Sequence, residues 1–230
     1  MSIVINKSCL LAFNIVLNIK IMKKYILTAI FVCLCFIIDN TQASLPEKGI
    51  NYIKKADFRT AYAYILKHEG WYANVPGDKG KETYGGISRK YNPNWWGWRF
   101  IDEYKRNNGP IARYTHFPEL DFWVMDYYLD IWVSEHFDLV IDQEIASYVL
   151  DFRINGTSSV RIIKRSIRDA GGNIELSHKM TKETIEIINK INKKKFLNSL
   201  KKRRKDYYKN IVKKDSSQIV FLKHWLLRSK

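Results

Sequence analysis

The chain has 230 residues, 39 Lys+Arg against 23 Asp+Glu for a formal net charge of +16, three cysteines, and 46% hydrophobic and 14% aromatic residues. That content of aromatic and branched side chains excludes wholesale disorder and is enough for a sizeable core in one domain or two small ones. The basic excess points to a polyanionic partner, whether nucleic acid, anionic membrane or bacterial wall polymer, and composition does not choose among them.

The first element reads as a leader. Lys23-Lys24 precede fourteen mostly apolar residues, Tyr25 to Ile38, and a polar spacer then ends on Ala43-Ser44. Basic, apolar and small residues in that order form a secretory signal peptide, expected to be cleaved after Ala43, with Met22 as a candidate true start. The protein is therefore expected to be secreted or periplasmic. The alternative is a retained membrane anchor, but fourteen residues rise only about 21 Å as a helix, short of the roughly 20 residues a span needs. Cys9, Cys33 and Cys35 all precede residue 36, so the chain from Ser44 on has no cysteine. Disulfides, thiol catalysis and cysteine-type zinc then drop out together.

From Asp57 to His68, Phe58, Ala61, Tyr62 and Ile65 fall on one helical stripe, with Asp57 as the N-cap. Glu69 lies eleven residues after Phe58, about three turns, and so projects from the same apolar face just before Gly70. Residues 71–92, with Gly77, Gly80, Gly85 and Gly86, read as turns or a small hairpin, and the cluster Trp95, Trp96 and Trp98 follows. Leu120, Trp123, Val124, Tyr127, Tyr128 and Ile131 predict an amphipathic helix over 118–136. Ile145, Val149 and Phe152 predict another after Asp142, and Val160, Ile163 and Ile167 a third, stopped by Gly171-Gly172. Ile185, Ile188 and Ile191 lead into a helix bearing Phe196, Leu200, Tyr207 and Ile211. The chain is mainly α with at most a small hairpin.

One segment can do chemistry. Glu69 places a carboxyl on an apolar helical face, and Asp78, Glu82 and Thr83 follow in a glycine-rich turn. Burial and the negative end of the helix dipole both favour the protonated form of such a glutamate. That is the general-acid half of glycoside hydrolysis, in which a carboxylate or a positioned water attacks the opposite side of the sugar. Asp78, in a solvated turn, suits the second role, and Thr83 can orient the water.

The segment resembles the signature of glycoside hydrolase family 108, lysozyme-like muramidases whose usual form is Glu-Gly-Gly-Tyr-x-Asn, then Asp, a glycine pair, Thr and Gly-Ile. The match here is Glu69-Gly70, Tyr72, Asn74, Asp78, Gly80, Thr83 and Gly86-Ile87. Trp71 replaces the second glycine after the glutamate, and Lys81 the second of the later pair. Glu-x8-Asp-x4-Thr is also similar to the Glu-x8-Asp-x5-Thr arrangement of phage lysozymes. Asp151-x3-Asn155-Gly156 and the closing Phe221-x3-Trp225-x2-Arg228 are similar to the family's C-terminal predicted peptidoglycan-binding region.

The resemblance implies a lysozyme-like α+β fold and Glu69 as catalytic acid, with Asp78 and Thr83 positioning water and Tyr72, Asn74, Trp98 and Asn155 as substrate-binding candidates. With the leader over 1–43, the chain is expected to divide into a lysozyme-like catalytic region over 44–140 and a helical predicted peptidoglycan-binding region over 141–230. The resemblance also implies a muramidase that cuts the β-1,4 bond between N-acetylmuramic acid and N-acetylglucosamine in peptidoglycan; the protein is expected to act as a monomer without metal or organic cofactor. The alternative is a non-catalytic peptidoglycan-binding or scaffolding protein on the same fold, which Trp71, crowding the glutamate, favours.

Competing motifs fail on spacing. His68-Glu69 lacks the second histidine of a zinc protease, since position 72 is Tyr, and Gly80-Lys81-Glu82 lacks the hydroxyl a phosphate loop needs after its lysine. Two of the three tryptophans are expected in the core and one in the cleft. Residues 193–214 hold eleven Lys or Arg against the single acid Asp206. Behind a secretory leader that run points to anionic wall polymers or a lipid surface rather than nucleic acid.

Overall fold

Helix α1, Phe58–Leu66, begins where the sequence places its cap: the Asp57 carboxylate accepts the Thr60 N–H at 2.8 Å and the Thr60 hydroxyl at 2.9 Å. Ala61 and Ile65 on its inner stripe have no exposure. The computed structural model describes residues 54–67, 69–75, 81–154 and 158–229. The expected leader over 1–43, together with His68, Asp78 and Asn155, lies outside the described residues. Residues 53–230 form one compact unit.

The glycine-rich stretch after α1 supplies a three-stranded antiparallel sheet of order β1-β2-β3, with β1 Tyr72–Ala73, β2 Thr83–Tyr84 and β3 Ile87–Ser88. Tyr84 is paired to Tyr72 on one side and Ile87 on the other, leaving Gly85-Gly86 as a two-residue turn. Both glycines have positive φ, +53° and +81°, as a type I′ hairpin demands.

Helix α2, Gly97–Asn108, is one the sequence reading lacks: its N-cap, Trp96, makes no side-chain hydrogen bond and its composition is strongly polar. Helix α3, Asp121–Ser134, follows a 3-10 turn at Pro118–Leu120 and occupies the span predicted for it. It buries Val124, Tyr128 and Trp132, one residue per turn. Helix α4, Gln143–Ile154, is capped by Asp142, whose carboxylate accepts the Ile145 N–H at 3.0 Å. Every residue from Ile145 to Phe152 is buried, so α4 is the central helix, packed on by α1, by α5 (Ser159–Asp169) and by α7 (Lys193–Lys214).

Helix α5 ends in a Schellman motif: Gly171 takes φ +92° and the Gly172 N–H reaches the Ile167 carbonyl at 2.9 Å. Helix α6, Lys182–Ile188, opens on a Thr181/Thr184 capping box, and Asn192 caps α7 separately, so the isoleucine run and the basic run are two helices. Helix α8, Ile219–Leu227, closes the described chain. The architecture is mainly α with a small sheet, the lysozyme-like α+β class the sequence predicts.

Burial pushes the Asp57 carboxyl up, but the hydrogen bonds from Thr60 and the nearby Arg59 outweigh it and hold it below the usual range. A depressed acid stabilises the fold above its unfolded pKa of about 4 and loses that contribution as pH falls through the folded value. Asp57→Ala is expected to cost about 1 kcal/mol at neutral pH in urea unfolding. The deficit should shrink on acidification; a deficit that grows there would contradict the cap.

Candidate active site

Glu69 lies three residues beyond the end of α1, and its N–H still reaches the Ile65 carbonyl at 3.0 Å, so it extends the helical path by one turn. Its side chain is 16% exposed. Glu69 Oε1 accepts a hydrogen bond from Arg228 Nη2 at 2.8 Å, 159 residues away in sequence. The other side of the carboxyl lies against the Gly85-Gly86 turn: a Cβ on Gly86 would stand 2.8 Å from Glu69 Cδ and 2.9 Å from Oε2. The same Cβ would meet the Tyr128 hydroxyl at 2.5 Å. Gly85 is buried against Val124, and Tyr128 donates to the Gly85 carbonyl at 2.8 Å. The turn is thus clamped on α3, while Gly86 itself is exposed, and Glu69 reaches the surface there.

Arg228 is 4% exposed. Its Nη2 also bonds the carboxylate of Asp151, a fully buried residue of α4, and Arg204 Nη2 of α7 bonds the other Asp151 oxygen at 2.6 Å. Burial alone disfavours the Arg228 cation, but the charges of Glu69 and Asp151 more than reverse this and raise its pKa. The Tyr128 phenol is shifted the other way in charge terms: full burial and the neighbouring Glu69 keep it protonated.

The remaining candidates separate. Thr83 is half-buried in the middle strand, paired with Ala73 and Ser88, two residues before the glycine turn. Tyr72 is buried, and its hydroxyl donates to Glu82 at 2.8 Å. Its phenol pKa is raised by burial first and by that carboxylate second. Asn74 is exposed and, with Tyr72, Lys105 and Arg113, lines a cavity of about 490 Å³. Glu82 is a structural anion, paired with Arg89 at 2.7 Å and with Lys105.

Trp98 is 2% exposed, its indole N–H donates to the Asn92 carbonyl at 2.7 Å, and the Arg89 guanidinium lies 4.5 Å over its ring, so no ring face is open to a sugar. The exposed tryptophan is Trp96 at 45%. Trp71 stacks on His116 with centroids 4.0 Å apart, and His116 pairs with Asp121 at 2.7 Å. The ring in the place of the family's second glycine is therefore held in a lateral stack at the edge of an apolar cavity with Tyr62, Leu66 and Phe122.

Sequence reasoning named Asp151 and Arg228 only as parts of C-terminal motifs and took Arg204 for part of a solvated basic face. The signal was available. Leu200, Arg204 and Tyr208 are spaced i, i+4, i+8, and Phe221, Trp225 and Arg228 i, i+4, i+7, so each arginine interrupts an apolar stripe and calls for a buried acid.

Residues 62–157 match the model of the family described as Glycosyl hydrolase 108, a stretch that holds Glu69, the glycine turn and Asp151. The fold is similar to that of the solved structure of Brucella abortus SagA, with 18% sequence identity, a TM-score of 0.53, and coverage of 75% of this chain and 88% of that one. No curated protein matches the chain.

The crowding at Gly86 makes a prediction. An L-residue at positive φ costs roughly 1–2 kcal/mol, and Gly171→Ala should cost about that, since nothing lies within 4 Å of its added Cβ. Gly86→Ala must also displace Glu69 or Tyr128 and is expected to cost clearly more in chemical denaturation. Equal costs would show that the contact is not tight.

Proposed function

Residues 62–157 belong to glycosyl hydrolase family 108, and from that premise we propose that the protein hydrolyses the glycan strands of bacterial peptidoglycan at the β-1,4 bond between N-acetylmuramic acid and N-acetylglucosamine. The observation that carries the reading is the Glu69 carboxyl, mostly buried, held on one oxygen by Arg228 and brought to the surface at an exposed glycine turn. A carboxyl so placed acts as general acid: its proton passes to the glycosidic oxygen as the C–O bond breaks. Thr83, on the strand leading to the same turn, and Asp78 are assigned to positioning the attacking water. Asn74 and the adjoining cavity are assigned to the sugar chain. Export by the 1–43 leader, cleaved after Ala43, belongs to this reading, because the substrate lies outside the cytoplasm.

Glu69→Gln keeps the shape of the side chain and its contact to Arg228 but has no acidic proton. It is expected to lower release of reducing ends from purified peptidoglycan by at least 100-fold at unchanged Tm. A fully active Glu69→Gln removes Glu69 from the mechanism. Sacculus binding by the wild type without any sugar release would favour the non-catalytic wall-binding reading instead.

The exposed side of α7 carries Lys194, Lys195, Lys202 and Lys209, whereas Arg203, Arg204 and Lys193 are paired with Asp169, Asp151 and Asp142. The lysine face is assigned to anionic wall polymers or a lipid surface. Retention on intact walls should therefore fall several-fold between 0.05 and 0.5 M salt, as a roughly 10 Å screening length at 0.1 M implies. Lys202→Glu with Lys209→Glu should reproduce the loss at low salt; unchanged retention in that variant would show that α7 does not contact the wall.

A further inference from the structure

The Arg228 side chain does more than tie the last helix down. Its Nη2 alone contacts both Glu69 Oε1 and Asp151 Oδ1, and its placement is built from several directions. Trp225 stacks on Tyr208 of α7 with centroids 5.2 Å apart and on Phe221 at 5.7 Å, which orients α8. Arg204 Nε donates to the Tyr208 hydroxyl at 3.1 Å, and its guanidinium lies 5.0–5.1 Å from the Phe152 and Tyr148 rings. Asp151 is thereby fixed from two sides, and it fixes Arg228 in turn. Every member of the chain Arg204, Asp151, Arg228 is less than 5% exposed.

We propose that Arg228 is the positioning residue of the general acid: by occupying Oε1 it leaves Oε2, on the Gly86 side, as the oxygen that carries and delivers the proton. This deepens the hydrolase reading and rests on it. In the reaction, the Glu69 proton goes to the glycosidic oxygen, the electron pair of the broken C–O bond stays on that oxygen, and Glu69 is left anionic. Water supplies a hydroxyl to the anomeric carbon and a proton that restores the acid. With Glu69 neutral, Arg204, Arg228 and Asp151 sum to one positive charge; with Glu69 ionised the four groups sum to zero. Charge developing on Glu69 in the transition state therefore meets a pre-oriented cation in a site with little water, where such an interaction is strongest. Tyr128, the titratable group facing Glu69 from α3, stays protonated and contributes a dipole only.

A merely structural Arg228 would make activity follow stability. The test compares Arg228→Met, Arg228→Lys and wild type at a temperature where circular dichroism shows all three folded. Arg228→Met is expected to lose about 100-fold in kcat with KM changed less than about threefold, the size of effect seen when a reacting group is misplaced or loses a transition-state donor. Arg228→Lys should recover at least tenfold, because one nitrogen makes both contacts and an ammonium can replace it. A folded Arg228→Met with wild-type kcat overturns the proposal, as does a loss that Lys does not repair. If Arg228→Met does not fold, Arg228→Gln against Arg228→Lys carries the same comparison.

A double-mutant cycle of Glu69→Ala and Arg228→Met on the unfolding equilibrium gives a readout independent of activity. A coupling of about tenfold or more in the equilibrium constant is expected, and additive effects overturn the proposal. A wild type with no hydrolytic activity but with that coupling would sink the hydrolase reading while leaving the Arg228–Glu69 contact established.

Discussion

A carboxylate with no exposure, Asp151, sits at the centre of this molecule, and the arrangement around the site follows from compensating it. Burying an unpaired ion costs several kcal/mol, so a fully buried Asp requires a cation with good geometry. Two arginines answer it, one from the middle of α7 and one just past α8. Two guanidiniums against one carboxylate leave a surplus positive charge in the interior, which would itself be costly. The Glu69 carboxyl closes the cluster through Arg228, and its ionisation brings the four groups to zero charge. The glutamate thus belongs to an electrostatic cluster that neutrality completes, and the segment beyond residue 157, outside the stretch matched by the family, supplies half of that cluster.

Position is then refined by close approach. The hairpin turn between β2 and β3 presses on α3 on one side and on the Glu69 carboxyl on the other, and no side chain fits between. Gly85 meets Val124, and its carbonyl is held by the Tyr128 hydroxyl, itself without solvent access. Two glycines at positive φ provide both the twist a two-residue hairpin needs and the space for the acid. Conformational freedom and lack of bulk are thus used at once, and one Cβ at position 86 would disturb the sheet, α3 and the carboxyl together.

Much of this was legible in the sequence, because local rules act on neighbouring residues. The Asp57 cap, the α3 stripe through Val124 and Tyr128 and the glycine stop after Ile167 all come from short-range chemistry and stand in the structure. Glu69 at the end of an apolar helical face was legible for the same reason. Helix α2 was not, because it lacks a capping hydrogen bond and carries Arg99, Asp102, Glu103, Lys105 and Arg106 around a narrow stripe of Trp98 and Ile101. The three-way pairing of Glu69, Asp151 and Arg228 was not legible either. It joins residues 77 to 159 positions apart, and a single sequence shows only that charged residues interrupt apolar stripes, not which of them meet.

Helix α7 shows why a run of like charge should not be read as one surface. Within one turn it turns Arg204 inward, where salt does not reach, and Lys202 outward, where a roughly 10 Å screening length at 0.1 M applies. The inward charge, Arg204, sits in low-dielectric surroundings and holds the Asp151 carboxylate at 2.6 Å. The outer ones, Lys194, Lys195, Lys202 and Lys209, face solvent. Ionic strength therefore separates the two sides of one helix: it screens the outer lysines and leaves the charge balance around Asp151 nearly untouched.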